Sequence, residues 1–213
     1  MIGFEPSELP EREQYKIMTG CVVPRPIGFI TTKGPEGVNA APFSMFNVVG
    51  TEPPMLMFCS GDQDNGTFKD TINNIEANPE FVAHIVSEEI AEQMNLCSGD
   101  FPSDVNELEE AGLTEVPSVK VSVPRIAESP AHFECKFSQS LRLGSRHRMT
   151  IGEVVYIHLR EDIVDMERKY IKIENLKPVA RLSGPQYAHI SDVFEMKRPY
   201  FDPDAVKRGE FKK

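Results

Sequence analysis

Residues 24–47 read PRPIGFITTKGPEGVNAAPFSMFN, and this stretch decides the fold. The prolines hold the chain extended before Ile27–Thr32, an apolar and β-branched run that is typical of a strand. Gly34–Gly37 has the composition of a turn, so Val38–Met45 is predicted to pair back as the second strand of a hairpin. The sequence therefore begins as antiparallel β structure.

The rest of the chain mixes short helices with strands and then becomes mainly β. His132–Leu143 and Thr150–Leu159 are long alternating stretches that predict two strands around a turn. Phe68–Ala77 has the spacing of a helix with one apolar face, and Ile171–Leu176 is predicted to be a short strand. Helices do not alternate regularly with strands, which argues against a doubly wound parallel sheet. A closed antiparallel barrel with short inserted helices fits this order better.

The composition is that of an acidic globular protein. Its 213 residues include 33 acidic and 23 basic side chains, which give a formal net charge of −10. Such a surface repels phosphate backbones and anionic lipids, so no nucleic acid and no membrane are expected as partners. No signal peptide is recognisable, and a cytoplasmic location is expected. Residues 1–213 are expected to form a single domain, with a core at about 11–190 and a C-terminal tail at 191–213.

Four cysteines recur every 38 residues, at positions 21, 59, 97 and 135. Cys59 and Cys97 each begin a Cys-Ser-Gly-Asp tetrapeptide, but the flanking residues do not match, so we interpret the spacing as coincidence. The sequence has no Cys-x-x-Cys pair and no cluster of histidines, and no metal site is predicted.

Three stretches contain candidate ligand-binding chemistry. Asn39–Asn47 combines small residues with short polar side chains, which lets a planar ligand approach the main chain, although close strand packing gives the same composition. Lys69–Thr71 opens the predicted helix, and a helix N-terminus suits a phosphate, although solvated capping residues look alike. His147 is either a solvent-facing turn residue or a hydrogen-bond donor in a pocket. The basic cluster Arg142–Arg148 around it suits one small anionic ligand.

Taken in order, the motifs of this chain resemble the flavin reductase-like, FMN-binding split-barrel family. The motifs are Pro24–Ile27, Thr31-Thr32, Asn39–Asn47, Pro53-Pro54, Lys69–Thr71, Glu128–Pro130, His147 with Gly152–Val154, and Arg181-Leu182-x-Gly184-x-x-Tyr187. The resemblance covers roughly residues 11–190. It is strongest to the subgroup that includes flavoredoxin and the flavin-supplying components of two-component monooxygenases.

The resemblance implies a mainly β fold, a Greek-key split β-barrel, with a homodimer and one FMN per subunit near the dimer interface. Lys69 and Thr71 would hold the phosphate, with Arg25 or Arg181 as further candidates. The full set of implied FMN-binding residues is Arg25, Thr31, Thr32, Asn39, Ala40, Ala41, Pro42, Phe43, Ser44, Phe46, Cys59, Ser60, Lys69, Asp70, Thr71 and Arg181.

The resemblance also assigns a role to His147. In reductases of this family, a histidine in an Asp-His-x4-Gly motif lies near the nicotinamide site. Here His147 and Gly152 keep that spacing, while Arg146 replaces the aspartate. This departure bears directly on whether the chain uses a nicotinamide nucleotide at all.

Three functions follow from the resemblance. The first is an oxidoreductase in which NADH or NADPH reduces the flavin, which then serves a partner oxygenase or an electron-transfer protein. The second is an FMN-bound electron carrier of the flavoredoxin type that is reduced by a protein partner. The third is a non-catalytic flavin-binding module.

Overall fold

The computed structural model describes residues 1–63 and 66–198 and is mainly β. The strands are β1 (Arg25–Pro26), β2 (Gly28–Gly34), β3 (Gly37–Phe43), β4 (Phe46–Thr51), β5 (Pro54–Gly61), β6 (Glu80–Ile85), β7 (Glu115–Val116), β8 (Arg125–Ile126), β9 (Ala131–Leu143), β10 (His147–Leu159), β11 (Val179–Arg181) and β12 (Tyr187–His189). The helices are α1 (Glu11–Cys21), α2 (Asp70–Ala77), α3 (Ala91–Leu96), α4 (Glu107–Glu110) and α5 (Ile173–Leu176). None of these helices is long and apolar enough to cross a membrane. The predicted tail lies outside the described residues from position 199 onward.

Seven strands form one antiparallel sheet in the order β3-β2-β6-β9-β10-β5-β4. The edge strands β3 and β4 are joined only by Ser44 and Met45, which limits the separation of their ends to about 11 Å. The sheet must therefore curl until its two edges approach each other. At this corner the Cys59 N–H donates to the Met45 carbonyl at 2.8 Å. The result is a barrel that is split between its edge strands.

The predicted hairpin is confirmed, since β2 pairs with β3 from Gly28 opposite Phe43 to Gly34 opposite Gly37. Both faces of β2 are buried: Phe29 belongs to one apolar cluster and Ile30 to another. Burial on both faces explains why the sequence here is a continuous run and not a strict alternation.

All seven strands of the sheet contribute to the barrel core. Its buried members are Ile30, Phe43, Phe46, Leu56, Phe58, Phe81, Ala83, Cys135 and Val154, together with Ile72 and Ile75 of α2. Gly152 is needed for this packing, because a Cβ at that position would lie 2.5 Å from the Phe81 ring. A second cluster packs α3 and α4 against β2 and β3 through Phe29, Ala40, Ile90, Met94 and Leu108.

Histidines on β6, β9 and β10 form a polar layer that holds residues 117–126 against the sheet. His84 Nδ1 lies 2.8 Å from a carbonyl of β2, and Nε2 accepts from an amide of β8 at 3.0 Å, so neutral imidazole is satisfied at both nitrogens. Burial lowers the pKa of His84 well below its ordinary value, and it lowers the pKa of His132 to about 4. Beside them, His158 lies 2.6 Å from the buried carboxylate of Glu134.

Three local predictions differ from the structure. Ile171–Leu176 is not a strand: it contains the short helix α5, because an apolar run of this length fits both structures. The predicted helix at Phe68 begins instead at Asp70, since Lys69 is an extended N-cap with φ −66° and ψ 152°. Strand β10 begins at His147 and not at Thr150, because its pairing with β5 continues to Gly61.

Candidate functional site

A cleft of about 590 Å³ opens beside the edge strand β3. This volume lies within the usual range of small-molecule sites. The start of α2 forms a second side, and the segment after α3 together with α4 forms a third. Seven of the predicted site residues line it: Asn39, Ala41, Pro42, Phe43, Lys69, Asp70 and Thr71.

The outer edge of β3 is held by Glu107 of α4. Its Oε2 accepts from the Ala40 N–H at 3.0 Å, in the position where another strand would supply a carbonyl. Residues two apart on a strand direct their backbone N–H groups to the same side. Pro42 lies two residues after Ala40, so its nitrogen faces the outer edge of β3 as well. Proline has no N–H, and the edge therefore loses no hydrogen bond there. A short, accessible length of backbone remains beside the cleft.

The start of α2 presents the chemistry that suits an anion. Ile72 and Asn73 N–H groups donate to the Lys69 carbonyl, and the amides of Asp70 and Thr71 precede them. The first N–H groups of a helix have no carbonyl within the helix and carry a positive partial charge. Lys69 adds a formal charge at the lining of the cleft.

Two arginines of the predicted basic cluster lie beside this helix start. The guanidinium of Arg148 stacks over the Phe68 ring with its carbon 4.1 Å from the ring centroid, and that of Arg142 lies 5.9 Å away. Phe68 directly precedes Lys69, so the cluster and the helix start are neighbours in space. Arg142 also pairs with Asp62 at 2.6 Å, which offsets one negative charge of the cleft.

Acidic side chains are numerous in the lining. Asp62, Asp70, Asp100 and Glu107 stand against the single lysine, Lys69. Burial raises the pKa of Glu107, and the charge of Asp70 raises it further. An anionic group in this cleft therefore needs the helix N-terminus and its neighbouring cations, and it benefits when Glu107 carries no charge.

Four other predicted residues use their side chains inside the fold and do not line the cleft. The Thr31 hydroxyl donates to the Pro124 carbonyl at 2.8 Å, and the Thr32 hydroxyl accepts from Asn74 at 3.2 Å. The Arg181 guanidinium donates to the Gly184 carbonyl at 2.6 Å and stacks on a tyrosine. These contacts give the three side chains structural roles.

The fourth of these residues, Arg25, ties three segments together. Its buried guanidinium donates to the carbonyls of Thr19 and Val22, and to that of Leu182 at 2.9 Å. The carbonyls at the end of α1 otherwise have few partners, and a cation there is favourable. Arg25 therefore has a structural role in the fold, and its guanidinium does not line the cleft.

The remaining predicted residues lie on β3, β4 and β5 or in the connection between β3 and β4, and they do not line the cleft. Ser44 is half-buried and accepts from Arg25 Nε at 3.4 Å. Phe46 and Ser60 are buried, and Cys59 is half-buried. Ala40 contributes its N–H to Glu107, while its methyl group is in the core beside Leu108.

His147 lies on β10, opposite Gly61 of β5, and not in a turn. Its imidazole packs over Gly61, because a Cβ there would lie 3.7 Å from His147 Nε2. Asp62 and Gln63, which follow Gly61 along the chain, line the cleft. His147 therefore stands at the rim of the cleft and not inside it.

Sequence reasoning missed Asp62, Gln63, Glu107 and the segment 97–101. Both Cys-Ser-Gly-Asp tetrapeptides reach the cleft: the first spans the end of β5 and the next residue, Asp62, and the second follows α3. They differ in local structure, so they are not a structural repeat. Their shared Ser-Gly-Asp composition was nevertheless a usable signal, because short polar residues around a glycine commonly form loops that bind ligands.

Comparisons with known proteins agree with this architecture. A family model described as the flavin reductase like domain matches residues 19–174. Nitrilotriacetate monooxygenase component B from Bacillus cereus is 34% identical, with a TM-score of 0.88 over 92% of this chain and 98% of that chain. The 2-nitrobenzoate 2-nitroreductase NbaA of Pseudomonas fluorescens is 35% identical, with a TM-score of 0.86 over 95% of this chain and 98% of that chain.

A third solved structure bears on the fold alone. A protein from Shewanella frigidimarina with a split barrel domain is 19% identical, with a TM-score of 0.81 over 93% of this chain and 100% of that chain. The predicted split-barrel fold is thereby confirmed. The matched length and these two relatives, each more than 30% identical, show that the chain belongs to the flavin reductase-like domain family.

Proposed function

We propose that this chain is an FMN-binding reductase that uses NADH or NADPH to reduce its flavin. The observation that supports it most directly is the cleft, where the edge of β3 and the start of α2 face one ligand-sized volume. FMN has a flat ring and a terminal phosphate, and the two sides of the cleft offer exposed backbone and a helix N-terminus to them. When bound, the flavin supplies the redox chemistry, and the protein positions it.

The chain's own residues would act by position and charge. The amides of Asp70 and Thr71 and the Lys69 ammonium would hold the phosphate, with Arg142 and Arg148 adding positive potential nearby. The backbone between Asn39 and Phe43 would lie along the ring system. No side chain in this arrangement needs to act as a general acid or base.

The proposed reaction is tested by anaerobic mixing of the FMN-loaded protein with NADH or NADPH. The visible absorbance of oxidised flavin should be lost with either or both nucleotides. His147→Ala is expected to slow this loss several-fold without releasing FMN, because the imidazole at the rim would help hold the nicotinamide. The matched control is His189→Ala, which removes an exposed histidine from β12.

Dithionite separates the nicotinamide site from the flavin site, since it reduces flavin without binding a nucleotide site. It should reduce the parent and His147→Ala equally. An unchanged nucleotide rate in His147→Ala would remove this residue from the proposed site. A parent that dithionite reduces but neither nucleotide reduces would favour the electron carrier over the reductase.

The electron acceptor is proposed from the printed names of two solved relatives that are 34% and 35% identical to this chain. One is named as a component of a monooxygenase and the other as a nitroreductase. We infer that reduced flavin serves an oxygenase partner, as the first name suggests. Oxygen consumption that requires the reductase, the nucleotide and a separate oxygenase would support this acceptor. Direct loss of a nitroaromatic compound with the reductase alone would support the other.

We infer that two copies of the chain associate through one face of the sheet. This face is formed by residues that lie side by side on β5, β10 and β9 and whose side chains project from the same side of the sheet. They form three rows: Gly61, His147 and Leu143; Cys59, Met149 and Leu141; Met57, Ile151 and Gln139. All nine are at least partly exposed, while Phe58 and Thr150 between them are buried on the other face. Covering this apolar face with a second copy would also place His147 beside the interface.

Light scattering is expected to give about twice the chain mass of 23.9 kDa. Leu141→Lys should shift the protein toward the monomer, because it places a charge in the middle row of the face. Met166→Lys, at a methionine that is 68% exposed and outside this face, is the matched control. A monomeric parent with flavin bound would contradict the proposed dimer.

A further inference from the structure

Three polar side chains connect the walls of the cleft. Asn39 of β3 lies between Thr71 of α2 and Glu107 of α4, and all three side chains are buried. Asn39 is 3.1 Å from the Thr71 hydroxyl and 3.1 Å from Glu107 Oε1. Glu107 Oε2 accepts from the Ala40 N–H at 3.0 Å. The three groups therefore form one continuous chain of hydrogen bonds.

The Asn39 amide fits this chain in two orientations related by a half-turn. In the first, its NH₂ donates to the Glu107 carboxylate and its carbonyl accepts from the Thr71 hydroxyl. In the second, its NH₂ donates to the Thr71 oxygen and lies 3.2 Å from the Ala40 nitrogen, so the Ala40 N–H then has Glu107 Oε2 as its acceptor and no longer the Asn39 carbonyl. Its carbonyl then faces Glu107 Oε1, and this contact is a hydrogen bond only when Glu107 carries a proton.

The two orientations give the Thr71 hydroxyl opposite hydrogen-bonding roles toward the cleft. With ionised Glu107, the Thr71 hydrogen is used by Asn39, and the hydroxyl offers the cleft only lone pairs. With protonated Glu107, Thr71 accepts from Asn39 and its hydrogen is available to a ligand. A phosphate accepts hydrogen bonds and repels lone pairs, so it favours the second arrangement.

We propose that Glu107, Asn39 and Thr71 form a reversible hydrogen-bond relay that couples binding of a phosphate-bearing flavin to uptake of one proton. The proton comes from solvent and resides on Glu107 while the ligand is bound. Glu107 is a positioning residue, since it acts on the ligand through Asn39 and Thr71. The inference rests on the proposed FMN site and specifies its regulation by pH.

The surroundings of Glu107 favour its protonated form. Burial raises the pKa of its carboxyl, and Asp70 acts in the same direction. The Cys97 thiol, whose burial raises its pKa to about 12, donates to the Glu107 carbonyl at 3.4 Å and stays neutral. The other charged groups of the cleft are Asp62, Lys69 and Asp100. A phosphate adds negative charge, which favours the protonated form further, so FMN affinity should fall as pH rises.

The relay is tested by titration calorimetry of FMN binding in two buffers with different ionisation enthalpies. The difference between the buffers gives the number of protons taken up per FMN. The parent should take up more protons than Glu107→Gln, by up to one. Glutamine keeps the whole chain of bonds: its oxygen accepts from Ala40, its NH₂ donates to Asn39, and Asn39 donates to Thr71. Glu107→Gln should therefore fold, and it should bind FMN about fivefold more tightly above neutral pH, because one repulsive charge is gone.

Three controls isolate the relay from other titrations. Glu110→Gln makes the same charge change on an exposed residue of α4 and should behave as the parent. Thr71→Ser keeps the hydroxyl and should keep the proton uptake, whereas Thr71→Val should lose part of the uptake and part of the affinity. Riboflavin has no phosphate, so its binding should take up no protons in any variant. The titration of the FMN phosphate itself is common to all variants and cancels in the differences.

The outcomes separate the relay from the proposed function. A parent that binds neither FMN nor riboflavin would refute the flavin site itself. A parent that binds FMN with the same proton uptake as Glu107→Gln would overturn the relay and leave the flavin site intact. Equal uptake in Thr71→Val and the parent would also overturn it, since protonation of Glu107 would then be independent of the hydroxyl.

Discussion

Replacing Glu134 with alanine is expected to lower the free energy of unfolding by about 3–5 kcal/mol, because it breaks a buried charged network at one partner. Glu134 is fully buried on β9. Its two oxygens accept from the amides of Val119 and Lys120 at 2.8 and 2.6 Å, and His158 lies 2.6 Å away. Without the carboxylate, two amides and an imidazole lose their acceptor, and the segment between β7 and β8 loses two of its hydrogen bonds to the sheet.

Chemical denaturation at neutral pH measures this loss, with Glu153→Ala as the control at an exposed glutamate of the neighbouring strand. Burial alone would raise the pKa of Glu134, but the hydrogen bonds from His158 and from the two amides outweigh it and lower the pKa below its ordinary value of 4.5. A lowered carboxyl pKa stabilises the fold above the unfolded-state value, and this stability is lost on acidification. The difference between the parent and Glu134→Ala should therefore shrink below about pH 4.5. A loss under about 1 kcal/mol at neutral pH would contradict the assigned role.

The parts of the fold that sequence predicts correctly have local causes. The β2–β3 hairpin follows from a glycine-rich turn between two strand-forming runs, and Gly37 has a φ of +137°. Strands β9 and β10 follow from long alternation around another turn. The error at Ile171–Leu176 has a non-local cause. A short apolar run shows neither the helical nor the strand periodicity clearly, so tertiary packing decides its structure.

The chemistry of the cleft depends on contacts that are distant along the chain. Glu107 lies 67 residues from Ala40, and their hydrogen bond forms only because α4 packs against the edge of β3. In the sequence, Glu107 is one of several acidic residues in a polar insertion, with no spacing that distinguishes it from its neighbours. Its burial and its partners are properties of the folded chain, and pattern reasoning does not reach them.

Arg25 illustrates the limit of reasoning from a resemblance. An arginine within a motif near a phosphate-binding stretch is a reasonable anion ligand. In the structure its guanidinium donates to the carbonyls of Thr19, Val22 and Leu182. These contacts attach α1 and the end of β11 to the barrel. A sequence pattern alone does not distinguish such a structural role from ligand binding.

Replacing Lys69 with alanine is expected to weaken FMN binding at least about tenfold while the fold stays intact. Lys69 is the half-buried N-cap of α2, and its side chain makes no cap hydrogen bond, so its loss should cost little stability. A charge-assisted contact to phosphate contributes about 1.5–3 kcal/mol, and 1.4 kcal/mol corresponds to one decade of affinity. Riboflavin binding should change much less, because riboflavin lacks the phosphate.

Fluorescence titration with FMN and riboflavin measures both affinities, and Lys33→Ala on an exposed lysine of β2 is the control for net charge. An equal loss for both flavins would mean that Lys69 shapes the cleft without contacting a phosphate. An unchanged FMN affinity would mean that other cations hold the phosphate, first Arg142 and Arg148, whose guanidinium groups lie over the Phe68 ring. All four arginines have partners within the fold, since Arg25 and Arg181 donate to carbonyls while Arg142 pairs with Asp62 and Arg148 with Glu76; Arg142 and Arg148 come first because they lie beside the start of α2. The cations beside α2, and not those beside β11, are thus the ones whose removal should distinguish FMN from riboflavin.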